Sequence, residues 1–335
     1  MDLSIIIVNW NSLPDLRPCL ASVYRETRAL TFEVIVVDNA SAEDCGPAIR
    51  QEFPGVIFYR SGTNLGFGRA NNLGFALSSG ELILFLNPDT EIGDDVFARM
   101  AAHLLKASSG AVGPCLLNTD GSIQTSCVQV YPTIANQLLD SSLLRRMFPR
   151  WRIWGMEGWL STDREAVPVD AISGACFMVR RRVFEAVGLF TDTYFMYGED
   201  LDLSYKIFTA GFGVEYLPKC RVTHHGGRSS AQQRPYFASL RQKESLLQFF
   251  RLRRSRAYAI CYVVIMGAAA LVRMALIMAP VPLGPIAFRG QDRGMLFRKW
   301  LATLRWAAGK HSALGERVLR APECRAVLSE RGDAY

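Results

Sequence analysis

The sequence predicts an α/β fold, a mostly parallel sheet wound with helices, followed by a helical C-terminal extension. Two observations carry this expectation. Short apolar runs rich in β-branched residues alternate with segments of helical spacing, the pattern of strands buried on both faces and joined by crossover helices. From Arg241 onward 17 Lys and Arg stand against 6 Asp and Glu, whereas the first 240 residues carry 21 against 25. The basic clusters of this tail flank an uncharged apolar stretch, which favours an anionic membrane surface over nucleic acid as its partner.

The elements follow in order. Leu3 to Val8 is a continuous apolar run, Leu13 to Arg25 has helical spacing, and Phe32 to Val37 is a second buried strand ending in Asp38-Asn39. Glu43 to Glu52 reads as helix, Val56 to Tyr59 as strand, Gly66 to Ser78 as helix and Leu82 to Leu86 as strand. Asp94-Asp95 starts a helix running to Lys106. Between Gly121 and Pro168 periodicity weakens and Trp151, Trp154 and Trp159 appear, which reads as an irregular insertion on the acceptor side. Ala175 to Val179 resumes as strand, Arg182 to Val187 and Leu201 to Ala210 as helices, and Val214 to Leu217 as a strand followed by a short loop to His224-His225. The expected division is residues 1–230 as the α/β domain and 231–335 as the extension. Pro235 to Arg254 has a helical pattern, and Ala257 to Val272 is 16 residues without a charge, short of the ~20 a spanning helix needs. Interfacial helix, spanning segment and soluble hairpin all remain open for it.

Composition bounds the function. Of the 335 residues half are hydrophobic and 21% charged, which excludes disorder and supplies a sizeable core. Eight cysteines without a Cys-x-x-Cys pair indicate a reduced compartment. The opening Met1-Asp2-Leu3 has no basic region and its apolar run stops at Val8, so no signal peptide is expected and the chain reads as cytoplasmic.

The chemistry-bearing residues fall at strand ends and helix starts. Asn9, Asp38 and Asp89 each follow a strand, where ligands of open α/β sheets bind. Asp38-Asn39 can accept from a nucleobase or ribose, or can be an ordinary turn cap. Asn64-Leu65-Gly66-Phe67-Gly68-Arg69 puts glycines and a cation at a helix start, which favours an anion. In Asn87-Pro88-Asp89 proline fixes the backbone before a carboxylate suited to Mg²⁺, which takes one or two protein carboxylates and draws other oxygens from phosphate and water. Glu199-Asp200 crowds two carboxylates, and each raises the proton affinity of the other, which suits Asp200 as a general base with Glu199 orienting the acceptor or a loop. One of the two can equally serve as a helix cap. His224 sits with His225 in a glycine-rich turn that suits a metal or diphosphate.

The ordered set of these motifs resembles the family 2 glycosyltransferases with a GT-A fold, in particular their rhamnosyltransferase-like branch. It runs from Ser4-Ile5-Ile6-Ile7-Val8-Asn9 through Asp38-Asn39, Asn64 to Gly68, Asn87-Pro88-Asp89-Thr90, Ser173-Gly174-Ala175 and Gly198-Glu199-Asp200 to Val222, His224 and Ser229. The resemblance implies a nucleoside-diphosphate sugar donor, with Asp38 at the nucleoside and Asn9, Asn39, Asn64, Gly66 and Arg69 nearby. It implies Mg²⁺ or Mn²⁺ held by Asp89 and His224, Asp200 as the base of an inverting displacement, and Ser173 and Gly174 lining the acceptor side. Asn87 stands where the family's Asp-x-Asp motif has its first acid, leaving one carboxylate for the ion. A glycan or lipid-linked acceptor at the cytoplasmic face of the membrane would account for the basic, apolar tail. Two other readings compete. A processive polysaccharide synthase would carry Gln-x-x-Arg-Trp, but Ala302 precedes Thr303-Leu304-Arg305-Trp306. A non-catalytic membrane-bound sugar-binding module would not need Asp89, Glu199, Asp200 and His224 together.

Overall fold

The structure, a computed structural model, describes residues 1–139, 163–226, 237–278 and 292–309. These fall into two compact units, residues 1–131 with 163–226, and residues 132–139 with 237–278 and 292–309.

The first unit is built on a nine-stranded sheet. In chain order its elements are β1 (Leu3–Asn9), α1 (Leu13–Glu26), β2 (Phe32–Asp38), α2 (Gly46–Glu52), β3 (Val56–Arg60), α3 (Phe67–Ala76), β4 (Leu82–Leu86), β5 (Thr90–Ile92), α4 (Val96–Lys106) and β6 (Ser109–Leu117). Then come a two-residue strand β7 (Val128–Gln129), α5 (Ile134–Leu139) of the second unit, β8 (Val167–Pro168), β9 (Ala171–Ile172), β10 (Cys176–Arg180), α6 (Arg181–Ala186), α7 (Glu199–Thr209) and β11 (Gly213–His224). The strand order is β3-β2-β1-β4-β10-β6-β11-β5, with β8 on β11. Strands β3, β2, β1 and β4 are parallel, as is β6 with β11, while β10 runs antiparallel between β4 and β6. Strands β7 and β9 form a separate antiparallel pair.

Alternation along the buried strands decides the two faces. Ile5, Ile7, Val34, Val36, Leu84 and Leu86 pack under α1 and α4, whereas Ile6, Val8, Ile35, Val37 and Phe85 pack under α3, α6 and α7. On the second face Phe85 meets Phe190 and Phe184 with ring centroids 4.8 and 5.0 Å away. Burying such rings is worth roughly 1.5–3 kcal/mol each, which pins to the sheet the loop that leads into α7.

Strand β6 was not legible in the sequence, because Gly110, Gly113 and Pro114 interrupt its apolar run. A Cβ at Gly113 would stand 2.9 Å from Ile172, so close packing of β9 excludes a side chain there. Strand β11 is longer than expected: a register shift between Leu217 and Arg221 lets it continue along β6 and then pair with β5, opposing His224 to Thr90. His224 is therefore a strand-end residue, not a loop residue. Helix α7 begins at Glu199, two residues earlier than expected, because Tyr197 and Gly198 at φ 69° and 83° turn the chain sharply into it. The region expected to be irregular contains β7, α5 and β8. Trp151, Trp154 and Trp159, and Ser229 of the histidine motif, lie outside the described residues.

In the second unit α8 (Phe237–Arg253), α9 (Arg256–Met278) and α10 (Arg293–Ala307) pack on one another, and α5 packs against α9. Tyr262 stacks edge-on against Phe250 and Trp306 (4.9 and 5.9 Å), and the Arg273 guanidinium lies 4.3 Å over the Trp300 ring and donates to Leu138 O. With a Gly267 Cβ position 3.1 Å from Ala307, these contacts run α10 antiparallel to α9. Helix α9, 23 residues long, is the one described helix long and apolar enough to cross a membrane.

Candidate active site

Three side-chain clusters occupy the carboxyl edge of β1, β2 and β4. In the first, Asn9 Nδ2 donates to Asp38 Oδ1 (2.8 Å), as does Ser41 Oγ (2.5 Å), while Ser41 N and Arg60 Nε reach Asp38 Oδ2 (3.2 and 3.5 Å). Asp38 has no exposed surface, and its carboxylate is held within this network. Asn39 Nδ2 donates to Asn64 Oδ1 (3.0 Å) and Gly66 O (3.2 Å), and its own oxygen accepts from Leu65 N (2.8 Å). Gly66 at φ 80° would place a Cβ 2.3 Å from Phe195 O, so the close approach of the two loops requires glycine. Arg69 Nε donates to Asp192 O (2.8 Å).

The second cluster surrounds Asp89, in the turn between β4 and β5. His224 Nε2 lies 3.2 Å from Asp89 Oδ1 and 3.3 Å from Asn87 Nδ2, and both His224 and Asp89 are only 15% exposed. Burial opposes ionisation of Asp89, but the hydrogen bond and charge of His224 outweigh it and hold the carboxyl below its ordinary range. Among the described residues no group of three His, Cys, Asp or Glu could hold a metal. The pair nevertheless fits a hard divalent ion in its donor chemistry: one carboxylate oxygen and one imidazole nitrogen lie 3.2 Å apart, and such an ion takes its remaining oxygens from phosphate and water.

The third cluster holds Asp200 in the first turn of α7. Gly174 N and Gln129 Nε2 donate to Asp200 Oδ2 (2.9 and 3.2 Å), and Leu201 N to Oδ1 (2.8 Å). A Cβ at Gly174 would lie 3.3 Å from the Asp200 Cβ and 3.4 Å from Phe67. Burial raises the Asp200 carboxyl above its ordinary value against these donors. Burial and the adjacent Asp200 charge push Glu199 up to about 8. Glu199 is 7% exposed, and its Oε2 has no hydrogen-bond partner among the described residues. Asp202, the third acid of the cluster, is structural: fully buried, it accepts from Thr191 Oγ1 at 2.6 Å.

The segment Ser173-Gly174-Ala175 joins the clusters. Asn87 N donates to Ala175 O (2.9 Å) while the neighbouring Gly174 N holds Asp200, so the Asp89 turn and the α7 start meet across one short stretch of chain. Phe67, at the start of α3, packs on Gly174 from the side of the Asn39–Gly66 loop. No sequence pattern singles out Gln124 and Gln129. Gln124 binds His224 through both its ring and its carbonyl, and Gln129 binds Asp200. Glutamine in an aperiodic stretch carries no signal of its own; only the fold reveals that residues 124–129 pass beneath both functional side chains.

The model of the family described as glycosyl transferase family 2 matches residues 4–188, more than half of the chain. The chain belongs to that family. An N-acetylglucosaminyl-diphospho-decaprenol L-rhamnosyltransferase of Mycobacterium tuberculosis is 31% identical over 245 residues, which is 69% of this chain and 78% of that protein. Among solved structures, the mannosyltransferase PcManGT of Pyrobaculum calidifontis, in complex with GDP-Man and Mn²⁺, superposes with a TM-score of 0.57 at 17% identity, over 92% of this chain and 86% of its own. GalNAc-T7 with UDP, GalNAc and Mn²⁺ gives 0.54 at 18% identity, over 90% of this chain but 55% of its own. These likenesses establish the GT-A fold, and the family 2 chain is a glycosyltransferase.

Proposed function

We propose that this glycosyltransferase moves a sugar from a nucleoside diphosphate to a hydroxyl of a glycan or lipid-linked acceptor, with inversion at the anomeric carbon. The observation that carries the reading is the meeting of Asp200 and the Asp89–His224 pair across Ser173-Gly174-Ala175. The nucleoside lies over the Asn9–Asp38–Ser41 network, where Asp38 fixes Ser41 and Arg60 rather than touching the base itself. Asp89 and His224 would hold a divalent ion, which would supply positive charge to offset that of the departing diphosphate.

Asp200 receives the acceptor hydroxyl's proton as that oxygen attacks. Its raised proton affinity, set by burial, brings it nearer the working pH, where a base is most effective. Gly174 N and Gln129 hold Oδ2 and Leu201 N holds Oδ1, so the carboxylate has a fixed orientation before substrate arrives. Glu199, buried and neutral beside it, places no second negative charge on the base. Similarity to the mycobacterial L-rhamnosyltransferase supports rhamnose as the sugar and a polyprenyl-diphosphate glycan as the acceptor.

The second unit anchors the enzyme at the cytoplasmic surface of the membrane. Ile260, Val264, Leu271, Val272 and Leu276 of α9 are more than half exposed, at helical spacing, and Arg251, Arg254 and Arg256 flank them. A lipid interface rather than a full crossing suits this unit. Antiparallel α10 would carry Arg293, Arg298, Lys299 and Arg305 to membrane depth beside α9, at roughly 2.5–3.5 kcal/mol for each charge near the bilayer centre. The test of the catalytic reading is a screen of dTDP-, UDP- and GDP-sugars with a polyprenyl-diphosphate acceptor, reading released nucleoside diphosphate with and without chelator. Release from a sugar nucleotide that Asp200→Asn abolishes supports it; no release from any donor favours the sugar-binding module.

A further inference from the structure

Gln124 is anchored before its side chain is considered. Its backbone N donates to Leu116 O (2.8 Å), and its carbonyl accepts from Cys127 N and Cys127 Sγ (3.2 and 2.8 Å). From that fixed backbone the carboxamide meets His224 twice, at its main-chain carbonyl (2.6 Å) and at ring Nδ1 (2.9 Å).

The first contact decides the second. A main-chain carbonyl only accepts, so the amide nitrogen of Gln124 must face His224 O, and its oxygen must then face Nδ1. An amide oxygen only accepts, so Nδ1 must carry a proton. Nδ1–H is thus committed to Gln124, and Nε2, 3.2 Å from Asp89 Oδ1 and 3.3 Å from Asn87 Nδ2, is the nitrogen left to donate to Asp89 when it carries a proton and to offer a lone pair to a cation when it does not.

We propose that Gln124 is a positioning residue that locks His224 in its Nδ1–H form and so presents the Nε2 lone pair, beside Asp89, to the divalent cation of the donor diphosphate. This rests on the reading of Asp89 and His224 as the cation's holders. A metal-binding histidine needs its second nitrogen tied to an acceptor, and here that acceptor comes from a segment which also carries Gln129 to Asp200. One short stretch thereby sets the geometry of both the leaving-group side and the base.

The experiment compares wild type, Gln124→Met and Gln124→Glu by ¹⁵N NMR of the histidine rings above the pH at which they are neutral, and by Mn²⁺ titration followed by EPR. The chain has four histidines, few enough for His224 to be assigned. Wild type should show Nδ1–H and a lone pair on Nε2. Gln124→Met, which keeps the volume and removes both bonds, should shift the proton toward Nε2 and weaken Mn²⁺ binding by about 10–100-fold. Gln124→Glu keeps an acceptor at Nδ1 and should retain the Nδ1–H form, which separates the tautomer effect from a general loosening. A wild type with its proton on Nε2, or a Gln124→Met that keeps both Nδ1–H and its Mn²⁺ affinity, overturns the proposal. A wild type that binds no Mn²⁺ overturns the cation reading of the site instead, and the proposal with it.

Discussion

Replacing Glu199 by Gln should make the protein more stable at alkaline pH and progressively less different from wild type toward pH 4.5. The carboxyl is 7% exposed, lacks a partner for Oε2 among the described residues, and sits beside Asp200, which together push it from 4.5 up to about 8. A folded-state value above the unfolded one means that the folded protein holds this proton more tightly. The stabilisation is complete below the unfolded value of 4.5 and is lost as pH rises through the folded value of about 8. At about 1.4 kcal/mol per pH unit, that window amounts to a loss on the order of 5 kcal/mol in wild type that Glu199→Gln does not suffer. At roughly 2 °C per kcal/mol for a chain of this size, the melting-temperature gap between the two should open by about 10 °C. Thermal denaturation of both proteins from pH 4.5 to 9 reads it directly. Parallel curves would refute the argument that Glu199 is buried as a neutral acid.

Further outcomes follow from the same geometry. Asp200→Asn should lower kcat by about 10²–10⁴-fold while leaving donor affinity within about two-fold, by steady-state kinetics and calorimetry. The acid limb of the wild-type rate profile should lie above the ordinary Asp range, since the raised carboxyl accepts a proton only once ionised and activity falls as pH drops through its value. Gly66→Ala should cost about 2–4 kcal/mol in denaturant titrations, because the left-handed backbone is strained by a side chain and the new Cβ meets Phe195 O at 2.3 Å. Val264→Asp with Leu271→Asp should reduce co-sedimentation with anionic vesicles without lowering the melting temperature; undiminished binding would remove α9 as the anchor.

The first four parallel strands and their helices were legible because each is a continuous apolar run, and burial on both faces leaves no room for polar residues. Asp89 stood out because a polar residue ending an apolar run is conspicuous in sequence, Asp200 because carboxylates crowd there, and His224 because two histidines share a glycine-rich turn. The pairing of His224 with Thr90, and hence its position at a strand end beside Asp89, depended on the bulge in β11, which no local pattern encodes. Strand β6 hid behind glycines that packing demands. Asp38 reads as a ligand from its type and place at a strand end, but that its oxygens are engaged by Asn9, Ser41 and Arg60 with no exposed surface is visible only in the fold. Gln124 and Gln129 were invisible because their significance lies wholly in what they reach.

The most direct test of a single donor and acceptor cleft is anomalous diffraction from crystals of the full chain grown with Mn²⁺ and a nucleoside diphosphate. A manganese peak bridging Asp89 Oδ and His224 Nε2, with the diphosphate on it and the Asp200 carboxylate facing the same space across Gly174, is the predicted result. A peak elsewhere on the protein, or a diphosphate on a face that Asp200 does not share, would contradict the account.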